Sequence, residues 1–502
     1  MKKISRIRPM QLVAAAPALV HWGLTFFTDT KIFEADPSVN MPDYVICKIL
    51  SLAVLCFFYT GVFHVIFCKD KKSDRLCRIL LRALPYMIVI IAVAAVKLPQ
   101  GFLSNDETLI ADSALHLEHD TWFSYLTVFY YIVSYMLIPV YTGPIFIKLV
   151  IELLVIGGLI CRFEDVFGKP WWYFGYLLFL LYPVIAYTTS AHRLPVYFLL
   201  YLLLFTTLIF DGIEKKEPSV AKTAGLILLT AVLTQWRTEG IYLAILVPIL
   251  MLFVYPSFRK PKKLSVLVLC SLLCQYLISV PQNGFLANEM GARADDRMKP
   301  FYAYTITNMF RNGLDTEKNA ADLAIVDRYL ALDKIAAIND YYGDINYEDV
   351  LILYQEGYAG VREEATITDY FDFANACKRI FRNNPGVFIK TRIGAFFYAA
   401  MPYRIEHGNG IRTLLVSSVK TVSYNLLFPV GFIFVLCLYA LFRKRFFSFF
   451  VTGGILAHWF IVFILAPASY FKYYFPVYIM AFFYLLVLIL AQVHRQKIRV
   501  LF

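Results

Sequence analysis

Long apolar runs separated by short polar connections occupy most of this chain. Twelve of these runs are about as long as a helix has to be to cross roughly 30 Å of hydrocarbon. They cover residues 10–27, 46–67, 79–96, 143–161, 171–189, 193–210, 220–235, 240–255, 264–281, 419–442, 446–466 and 471–493. A further apolar stretch, 122–141, fits either a crossing helix or a helix that lies at the membrane surface. The pattern predicts an all-α polytopic membrane protein with about 12 transmembrane helices.

Composition and charge agree with this class of protein. Hydrophobic residues make up 59% of the 502 residues and the mean hydropathy is +0.61, whereas soluble domains are about 45–50% apolar. The net charge of +12 comes mainly from basic loops, which favour the cytoplasmic face and anionic lipid, so it does not indicate binding to nucleic acid. The nine cysteines are scattered, and their spacing predicts neither a disulfide framework nor a zinc or redox motif.

The basic residues also orient the predicted helices. A basic N-terminus precedes the first run, and further Lys and Arg clusters fall at 69–82, 259–263, 443–445 and 494–499. All of them lie on one side of the membrane only if 123–141 is an interfacial or re-entrant helix and not a span. We therefore predict an integral, multi-pass protein of a bacterial plasma membrane with both termini in the cytoplasm.

Polar residues are concentrated in one long region of the second half of the chain. The predicted organisation is an N-terminal two-span extension (1–78), a transmembrane core (79–281) with an outer loop at 97–122 and an interfacial helix at 123–141, an extracytoplasmic and mainly helical insertion (282–418), and a C-terminal three-span segment (419–502). Asp295 and Asp296 in the insertion are flanked by Arg293 and Arg297. They fit a solvated charge cluster better than a binding site.

The insertion carries helical periodicity and a clear helix break. Helices are expected over 322–338 and 367–381, and Thr368 with Asp369 is a plausible N-cap for the second of these. The sequence Asn-Asn-Pro-Gly at 383–386 predicts a break.

Asp106 and Glu107 are the first candidates for chemistry. They follow the third apolar run, and the predicted topology places them at the outer mouth of the helix bundle. Ionisable groups close to hydrocarbon are costly without partners, so carboxylates there suit acid–base chemistry or metal binding. Taken alone, the pair fits a solvated acidic loop equally well.

Further polar residues are predicted at the same end of the bundle. They lie in short turns or at the outer ends of runs, and comprise His192, Arg193, Arg237, Glu239 and Lys472 with its neighbours Tyr470 and Tyr473. Each fits a snorkelling side chain or a local salt bridge, such as Arg237 with Glu239. Together they suit a phosphate-bearing substrate, because cations hold phosphate oxygens and stabilise a leaving group while a carboxylate accepts a proton from an attacking hydroxyl.

This arrangement resembles the GT-C superfamily of membrane glycosyltransferases, which includes protein O-mannosyltransferases, the aminoarabinose transferase of lipid A and the catalytic subunits of oligosaccharyltransferase. The resemblance covers the chain from residue 79 onward and rests on four short segments, 106–107, 192–193, 237–239 and 471–476. Two features depart from the family pattern: the extra spans before residue 79 and the insertion of the outer region between spans. Both leave the acceptor open.

The resemblance implies transfer of a sugar from a polyprenyl-phosphate or polyprenyl-pyrophosphate donor to an extracytoplasmic glycan, lipid or protein. Asp106 matches the first-loop acid of the family, which is expected to be the general base, and Glu107 lies beside it. Both are also the candidate ligands of a divalent metal. Contacts to the donor phosphate are expected from His192, Arg193, Arg237 and Lys472, and support from Glu239, Tyr470 and Tyr473.

Two other functions fit the same pattern. A lipid-linked glycan polymerase or ligase shares the apolar helices, the outer loops and the outward arginines. A secondary transporter or flippase fits less well, because transporters usually place charges or broken helices near the midplane, often in repeated halves. The chain contains no glycine-rich phosphate loop, which argues against an ATP-driven transporter and against a cytosolic nucleotide-sugar enzyme.

Overall fold

The computed structural model describes residues 4–97, 105–118, 123–168, 170–282, 298–342, 360–404 and 410–493. In these segments the chain is helical and forms no β-strand; one isolated antiparallel bridge pairs Leu330 with Val361. The all-α class predicted from the apolar runs is therefore confirmed. Helices are the expected form, because a backbone that crosses hydrocarbon has to satisfy its own hydrogen bonds.

Eight helices in the described part of the chain are long and apolar enough to cross a membrane. They are Pro37–Phe67, Arg75–Val93, Gly143–Phe167, Leu194–Glu214, Pro261–Val280, Ile411–Phe442, Phe446–Leu465 and Phe471–Val493. Two consecutive helices, Trp171–Phe179 and Tyr182–Thr188, make a ninth candidate if they form one span that is bent by 66°. The chain is thus an integral, multi-pass membrane protein, while the count of twelve spans stays a prediction.

The chain divides into two compact units, of which the first comprises Met1–Asn283, Lys444–Val451 and Phe482–Phe502. Its first half contains α1 (Ile4–Ile32), α2 (Met41–Phe67), α3 (Arg75–Lys97), α4 (Asn105–Leu115), α5 (Tyr125–Leu137) and α6 (Gly143–Phe167). It continues with α7 (Gly175–Phe179), α8 (Tyr182–Thr188), α9 (Leu194–Glu214), α10 (Val220–Trp236), α11 (Leu243–Val254) and α12 (Pro261–Val280).

Helix α9 is the most enclosed of the long helices of this unit, because 83% of its most apolar window is buried, against 11% for Pro37–Phe67 and 6% for α12. The apolar faces that α2 and α12 leave uncovered suit contact with lipid. Helix α6 packs against both α3 and α9. The approach of α6 to α3 depends on Gly157, where a Cβ atom would lie 2.2 Å from the carbonyl oxygen of Ile79.

Helix α5 is too short to cross a bilayer. Its 13 residues extend about 20 Å along the helix axis, whereas the hydrocarbon core is roughly 30 Å thick. Most of its side chains are buried by protein, including those of Tyr131 and Tyr135. The length favours the interfacial or re-entrant helix predicted at 123–141, and the placement of the basic loops on one side of the membrane stays a prediction.

The second unit comprises Gly284–Arg443 and Thr452–Ala481. It contains α13 (Lys299–Arg311), α14 (Ala320–Tyr329), α15 (Leu332–Tyr342), α16 (Ile367–Asn383), α17 (Pro385–Ala400), α18 (Ile411–Ser423) and α19 (Leu427–Phe442), while α20 (Phe446–Leu465) and α21 (Phe475–Val493) have residues in both units. Its core is aromatic and aliphatic, and includes Phe301, Tyr304, Met309, Val326, Tyr370, Phe373 and Ile380. The charge cluster predicted at 293–297 lies outside the described residues.

The helix predicted over 322–338 is divided in two. Leu330 and Ala331 leave the helical conformation between α14 and α15. The backbone N–H of Ala331 donates to the carbonyl of Gly360 at 2.9 Å, next to the bridge between Leu330 and Val361. Pairing with a distant segment of the chain thus overrides the local helical periodicity.

The helix predicted over 367–381 is present as α16, but its N-cap is not at Thr368 and Asp369. Thr366 is the N-cap, and its side chain accepts from the backbone N–H of Asp369 at 3.2 Å. The Asp369 carboxylate in turn accepts from the backbone N–H of Thr366, which completes a capping box. The break predicted at 383–386 separates α16 from α17.

Candidate functional site

Asp106 and Glu107 lie in the first turn of α4, and their side chains have different environments. Consecutive residues of an α-helix point about 100° apart. Here the Glu107 side chain points into the protein with 0% of its surface exposed, whereas the Asp106 side chain is 40% exposed. The predicted pair therefore consists of one buried and one accessible carboxylate.

Three side chains bind the Glu107 carboxylate. Nη1 of Arg193 lies 2.6 Å from Oε1, and the Arg193 backbone N–H donates to the same oxygen at 3.3 Å. Nδ1 of His192 lies 2.9 Å from Oε1, and the Tyr131 hydroxyl donates to Oε2. Because Arg193 immediately precedes α9, the carboxylate also lies at the positive end of that helix dipole. One buried acid thus connects α4, α5 and the start of α9.

Glu107 is held in its ionised form. Burial by itself raises the pKa of this carboxyl, but the charge of Arg193 and the hydrogen bonds from His192 and Tyr131 outweigh burial, so the pKa lies below its ordinary value. A carboxylate can only accept hydrogen bonds, so the 2.9 Å contact with Glu107 favours a proton on Nδ1 of His192 over the longer, 3.5 Å approach of the Leu194 N–H to the same nitrogen. The tautomer of His192 therefore follows from the charge of Glu107.

His192 lies between the two carboxylates. While Nδ1 faces Glu107, Nε2 lies 3.8 Å from Oδ2 of Asp106. A carboxylate that orients one ring nitrogen leaves the other nitrogen to exchange a proton with a neighbouring group. Only 13% of the His192 side chain is exposed, so Asp106 is the more accessible of the two groups to a substrate.

Arg193 is buried between Glu107 and an aromatic ring. Its guanidinium carbon lies 4.7 Å from the centre of the Phe123 ring. Removal of one partner from a buried ion pair costs about 3–5 kcal/mol, because the other charge is left uncompensated. The geometry gives Arg193 a role in holding Glu107, and its predicted contact with a donor phosphate stays a prediction.

Arg237 and Glu239 form an ion pair in the turn between α10 and α11. Nη2 and Nε of Arg237 lie 2.5 and 3.1 Å from Oε1 of Glu239. The guanidinium carbon lies 5.9 Å from the ring centre of Tyr197, one helical turn beyond Arg193 on α9. The local salt bridge that the sequence suggests is therefore present. If Arg237 binds a phosphate, it has to do so while it also binds Glu239.

Phe123 and Ser124 connect these two polar clusters. Phe123 covers Arg193, and Oγ of Ser124 donates to the carbonyl of Gln235 at 2.7 Å, two residues before Arg237. The structure thus brings three of the four predicted polar groups to one end of the first unit.

The fourth predicted group belongs to the second unit. Lys472 lies in the helical turn Phe471–Tyr474 immediately before α21. Its ammonium nitrogen lies 4.9 Å from the ring centre of Tyr470 and 5.9 Å from that of Tyr473. Aromatic faces stabilise a neighbouring cation, so these three side chains form one half-buried cationic group.

A second group of charged residues, which was not among the predicted site residues, lies inside α6. Nζ of Lys148 donates to the carbonyls of Thr188 at 2.8 Å and Ser190 at 2.5 Å, and lies 3.4 Å from Glu152. Both charged side chains are fully buried. Lys148 therefore fixes the turn that leads to His192. The sequence does contain a signal for this group, namely a Lys–Glu pair four residues apart inside an apolar run, because intramembrane charges are rare without a function.

The described residues at this site hold one accessible oxygen ligand for a metal. Among the described residues, the group of three His, Cys, Asp or Glu side chains with ligand atoms within 4.8 Å of one another is elsewhere, at the connection of α2 and α3. Glu107 directs its oxygens at Arg193, His192 and Tyr131. Of the two predicted metal ligands, Asp106 is thus the one that a divalent cation reaches from the surface.

No protein-family model, no curated protein and no solved structure matches this chain.

Proposed function

We propose that this protein is a membrane glycosyltransferase of the GT-C type, which moves a sugar from a polyprenyl-phosphate or polyprenyl-pyrophosphate donor to an extracytoplasmic glycan, lipid or protein. The observation that carries this proposal is the series Asp106, His192 and Glu107, in which a buried carboxylate orients an imidazole towards an accessible carboxylate. A twelve-span topology with cytoplasmic termini in a bacterial plasma membrane is part of the same proposal.

In the proposed reaction Asp106 accepts the proton of an acceptor hydroxyl. The hydroxyl oxygen bonds to the anomeric carbon of the sugar while the bond from that carbon to the phosphate oxygen breaks, and the lipid phosphate leaves with the electron pair. Nε2 of His192 lies 3.8 Å from Oδ2 of Asp106, so the two side chains have to approach each other by about 0.5–1 Å before they can share the proton. Glu107 touches no substrate in this scheme and is a positioning residue for His192 and Arg193.

Phosphate binding is the task of the cationic groups. In the first unit Arg237 presents a guanidinium whose fork suits phosphate oxygens, and Glu239 holds it in one orientation. A contact from Lys472, with Tyr470 and Tyr473 in support, is proposed from the sequence resemblance, since Lys472 belongs to the second unit. A divalent cation, if the enzyme uses one, would neutralise charge on the leaving phosphate from a position next to Asp106.

Transfer from radiolabelled polyprenyl-phosphate sugars by the purified protein in lipid tests the proposal, with and without EDTA. Asp106→Asn should abolish transfer, because an amide cannot accept the acceptor proton. Asp112→Asn is the matched control, since Asp112 is an exposed acid on the same helix α4, and it should transfer normally. Equal transfer by both variants would rule out Asp106 as the base.

The same assay separates the proposal from a polymerase or ligase. Addition of a single sugar supports the transferase, whereas products of increasing length would indicate polymerisation of a lipid-linked glycan.

One observation favours a second candidate, a secondary transporter or flippase. Glu152 lies about 14 Å along α6 from its first residue, close to half the depth of the hydrocarbon, and is paired with Lys148. The neighbouring pair α7 and α8 forms a bent, broken helix. Buried charges and broken helices are features of transport sites. Counterflow of a lipid-linked sugar in proteoliposomes that Asp106→Asn leaves intact would favour this function.

A further inference from the structure

The connection between α2 and α3 contains four side chains of the types that bind metal ions in proteins. His64 lies in the last turn of α2, Cys68 follows the helix directly, Asp74 precedes α3 and Cys77 lies in the first turn of α3. The ligand atoms of His64, Cys68 and Asp74 all lie within 4.8 Å of one another. This group is at the opposite end of α3 from α4 and has no part in the proposed sugar transfer.

Local structure explains why these residues meet. His64 and Cys68 are four residues apart, which places them on one face at the end of α2. Asp74 is the N-terminal cap of α3, because its Oδ1 accepts from the backbone N–H of Cys77 at 3.0 Å. Its Oδ2 lies 2.7 Å from Nε2 of His64. The Cys77 thiol interacts with the side chains of Asp74 and Cys68, so it lies beside these two groups.

A simple capping interaction explains only part of this arrangement. A helix cap with a supporting imidazole accounts for Asp74 and His64 but requires no sulfur. Two thiols, one directly after α2 and one in the first turn of α3, lie close to the same carboxylate. Imidazole, thiolate and carboxylate are together the donor set of tetrahedral zinc sites, whereas Mg²⁺ and Ca²⁺ prefer oxygen ligands alone.

We propose that His64, Cys68 and Asp74 bind a divalent transition metal ion, with Zn²⁺ as the natural occupant and Cys77 as the fourth ligand. Tetrahedral Zn²⁺ holds neighbouring N, O and S atoms roughly 3.3–3.8 Å apart. To bind the ion, the distance between Nε2 of His64 and Oδ2 of Asp74 has to increase from 2.7 Å by less than about 1 Å. Any two ligand atoms that are as far apart as 4.8 Å have to approach each other by on the order of 1 Å. His64 and Cys68 can make such shifts, because the His64 imidazole is half exposed and Cys68 lies at the end of a helix.

The surrounding charge is compatible with this ligand set. Two thiolates and one carboxylate carry three negative charges, of which Zn²⁺ neutralises two. The loop between α2 and α3 contains Lys69, Lys71 and Lys72, which place positive charge close in sequence to the remaining negative charge. Metal binding displaces the thiol protons, so the affinity should fall as the pH is lowered. The bound ion would join the end of α2 to the start of α3.

The test uses the full-length protein, purified with reductant in detergent, stripped of metal and titrated with ZnCl₂ against a chromophoric chelator. The wild type should bind one Zn²⁺ per chain. Cys68→Ser and His64→Ala should each weaken binding by more than tenfold. Cys56→Ser is the matched control, because Cys56 lies on α2 away from the group, and it should bind as the wild type does.

Cobalt substitution gives a second readout that a purely structural role of Cys68 would not change. Co²⁺ bound to thiolates produces a sulfur-to-metal charge-transfer band, which should weaken in Cys68→Ser and disappear in the Cys68→Ser/Cys77→Ser double variant. Size-exclusion chromatography shows whether each variant is folded. Absence of Zn²⁺ binding by the folded, reduced wild type would overturn the proposal, as would Zn²⁺ binding that Cys68→Ser leaves unchanged.

Discussion

Nδ1 of His192 lies 2.9 Å from the buried Oε1 of Glu107. Glu107, the buried acid of the pair, therefore orients both His192 and Arg193, since the same oxygen also binds Arg193. The accessible member, Asp106, faces the opposite nitrogen of the same imidazole. Two adjacent acids therefore have separate tasks, and substitutions at each should have separable effects.

Glu107→Gln should destabilise the protein while Asp106→Asn should not. The amide leaves the buried Arg193 charge without its carboxylate, a loss of about 3–5 kcal/mol. Thermal unfolding in detergent measures the difference. Asp106→Asn changes a 40% exposed side chain and should stay within about 0.5 kcal/mol of the wild type. Equal melting temperatures for the two variants would show that the Glu107 ion pair does not stabilise the fold.

The stabilising effect of Glu107 should depend on pH in the acid range. The pKa of this carboxyl is lower in the folded protein than its ordinary value, so its contribution is complete above the unfolded pKa of about 4.3. It is lost as the pH falls from there towards the folded pKa. The gap in stability between the wild type and Glu107→Gln should therefore narrow below about pH 4.3. A gap that stays constant from about pH 7 to about pH 3 would contradict the prediction.

The sequence predicts the class of the fold and the neighbourhood of the site because both depend on simple properties. The length of the apolar runs determines which segments can be membrane helices. The ends of those runs predict Asp106, His192 and Arg237 at one end of the helix bundle, and the structure brings Asp106 to 3.8 Å from His192. Which of Asp106 and Glu107 is buried depends on the rotation of α4 about its axis, and the local pattern of that short helix does not determine it.

Other features depend on contacts between distant segments. The break at Leu330 follows from pairing with residues near Val361, which no local periodicity reports. The acceptors of the Lys148 ammonium group are carbonyls about forty residues away in sequence. The apolar run around Lys148 therefore looks like any other membrane span in the sequence. The group at the end of α2 has no familiar metal-binding spacing, because Asp74 joins His64 and Cys68 from the start of the next helix.

Arg237→Lys should raise the KM for the lipid-linked donor by about tenfold, with a smaller effect on kcat. Lysine keeps the charge but loses the planar fork that binds Glu239 through two nitrogens, so the cation is no longer held in one orientation. Steady-state transfer kinetics with varied donor concentration measure both constants. Arg259→Lys is the control, since Arg259 donates to the backbone carbonyls of Leu252 and Phe253. A fall in kcat at unchanged KM would contradict a role of Arg237 in donor binding.

Gly157→Ala should destabilise the protein, whereas Gly158→Ala should not. A Cβ atom at residue 157 would lie 2.2 Å from the carbonyl oxygen of Ile79, so α3 and α6 would have to separate, at a cost of about 1–3 kcal/mol. Nothing lies within 4 Å of a Cβ at residue 158, and alanine is there the better helix former by up to about 1 kcal/mol. Thermal unfolding of the two variants provides the comparison. Similar melting temperatures would show that α3 and α6 do not pack as described.

Lys148→Met should both destabilise the protein and slow sugar transfer. It leaves Glu152 buried without its partner, at a cost of about 3–5 kcal/mol, and it deprives the carbonyls of Thr188 and Ser190 of their donor. A displaced 188–190 turn should misplace His192 and lower kcat by about 10- to 100-fold. The double variant Lys148→Met/Glu152→Leu removes the uncompensated charge, so stability should return.

The turnover of the double variant decides what the pair does. The two carbonyls still lack their donor, so kcat should stay low even though the melting temperature recovers. Recovery of kcat together with stability would mean that the pair only supports the fold. If the wild type transfers no sugar but carries a lipid-linked sugar across proteoliposomes, and the stable double variant does not, the buried pair belongs to a transport path, and the second candidate function replaces the first.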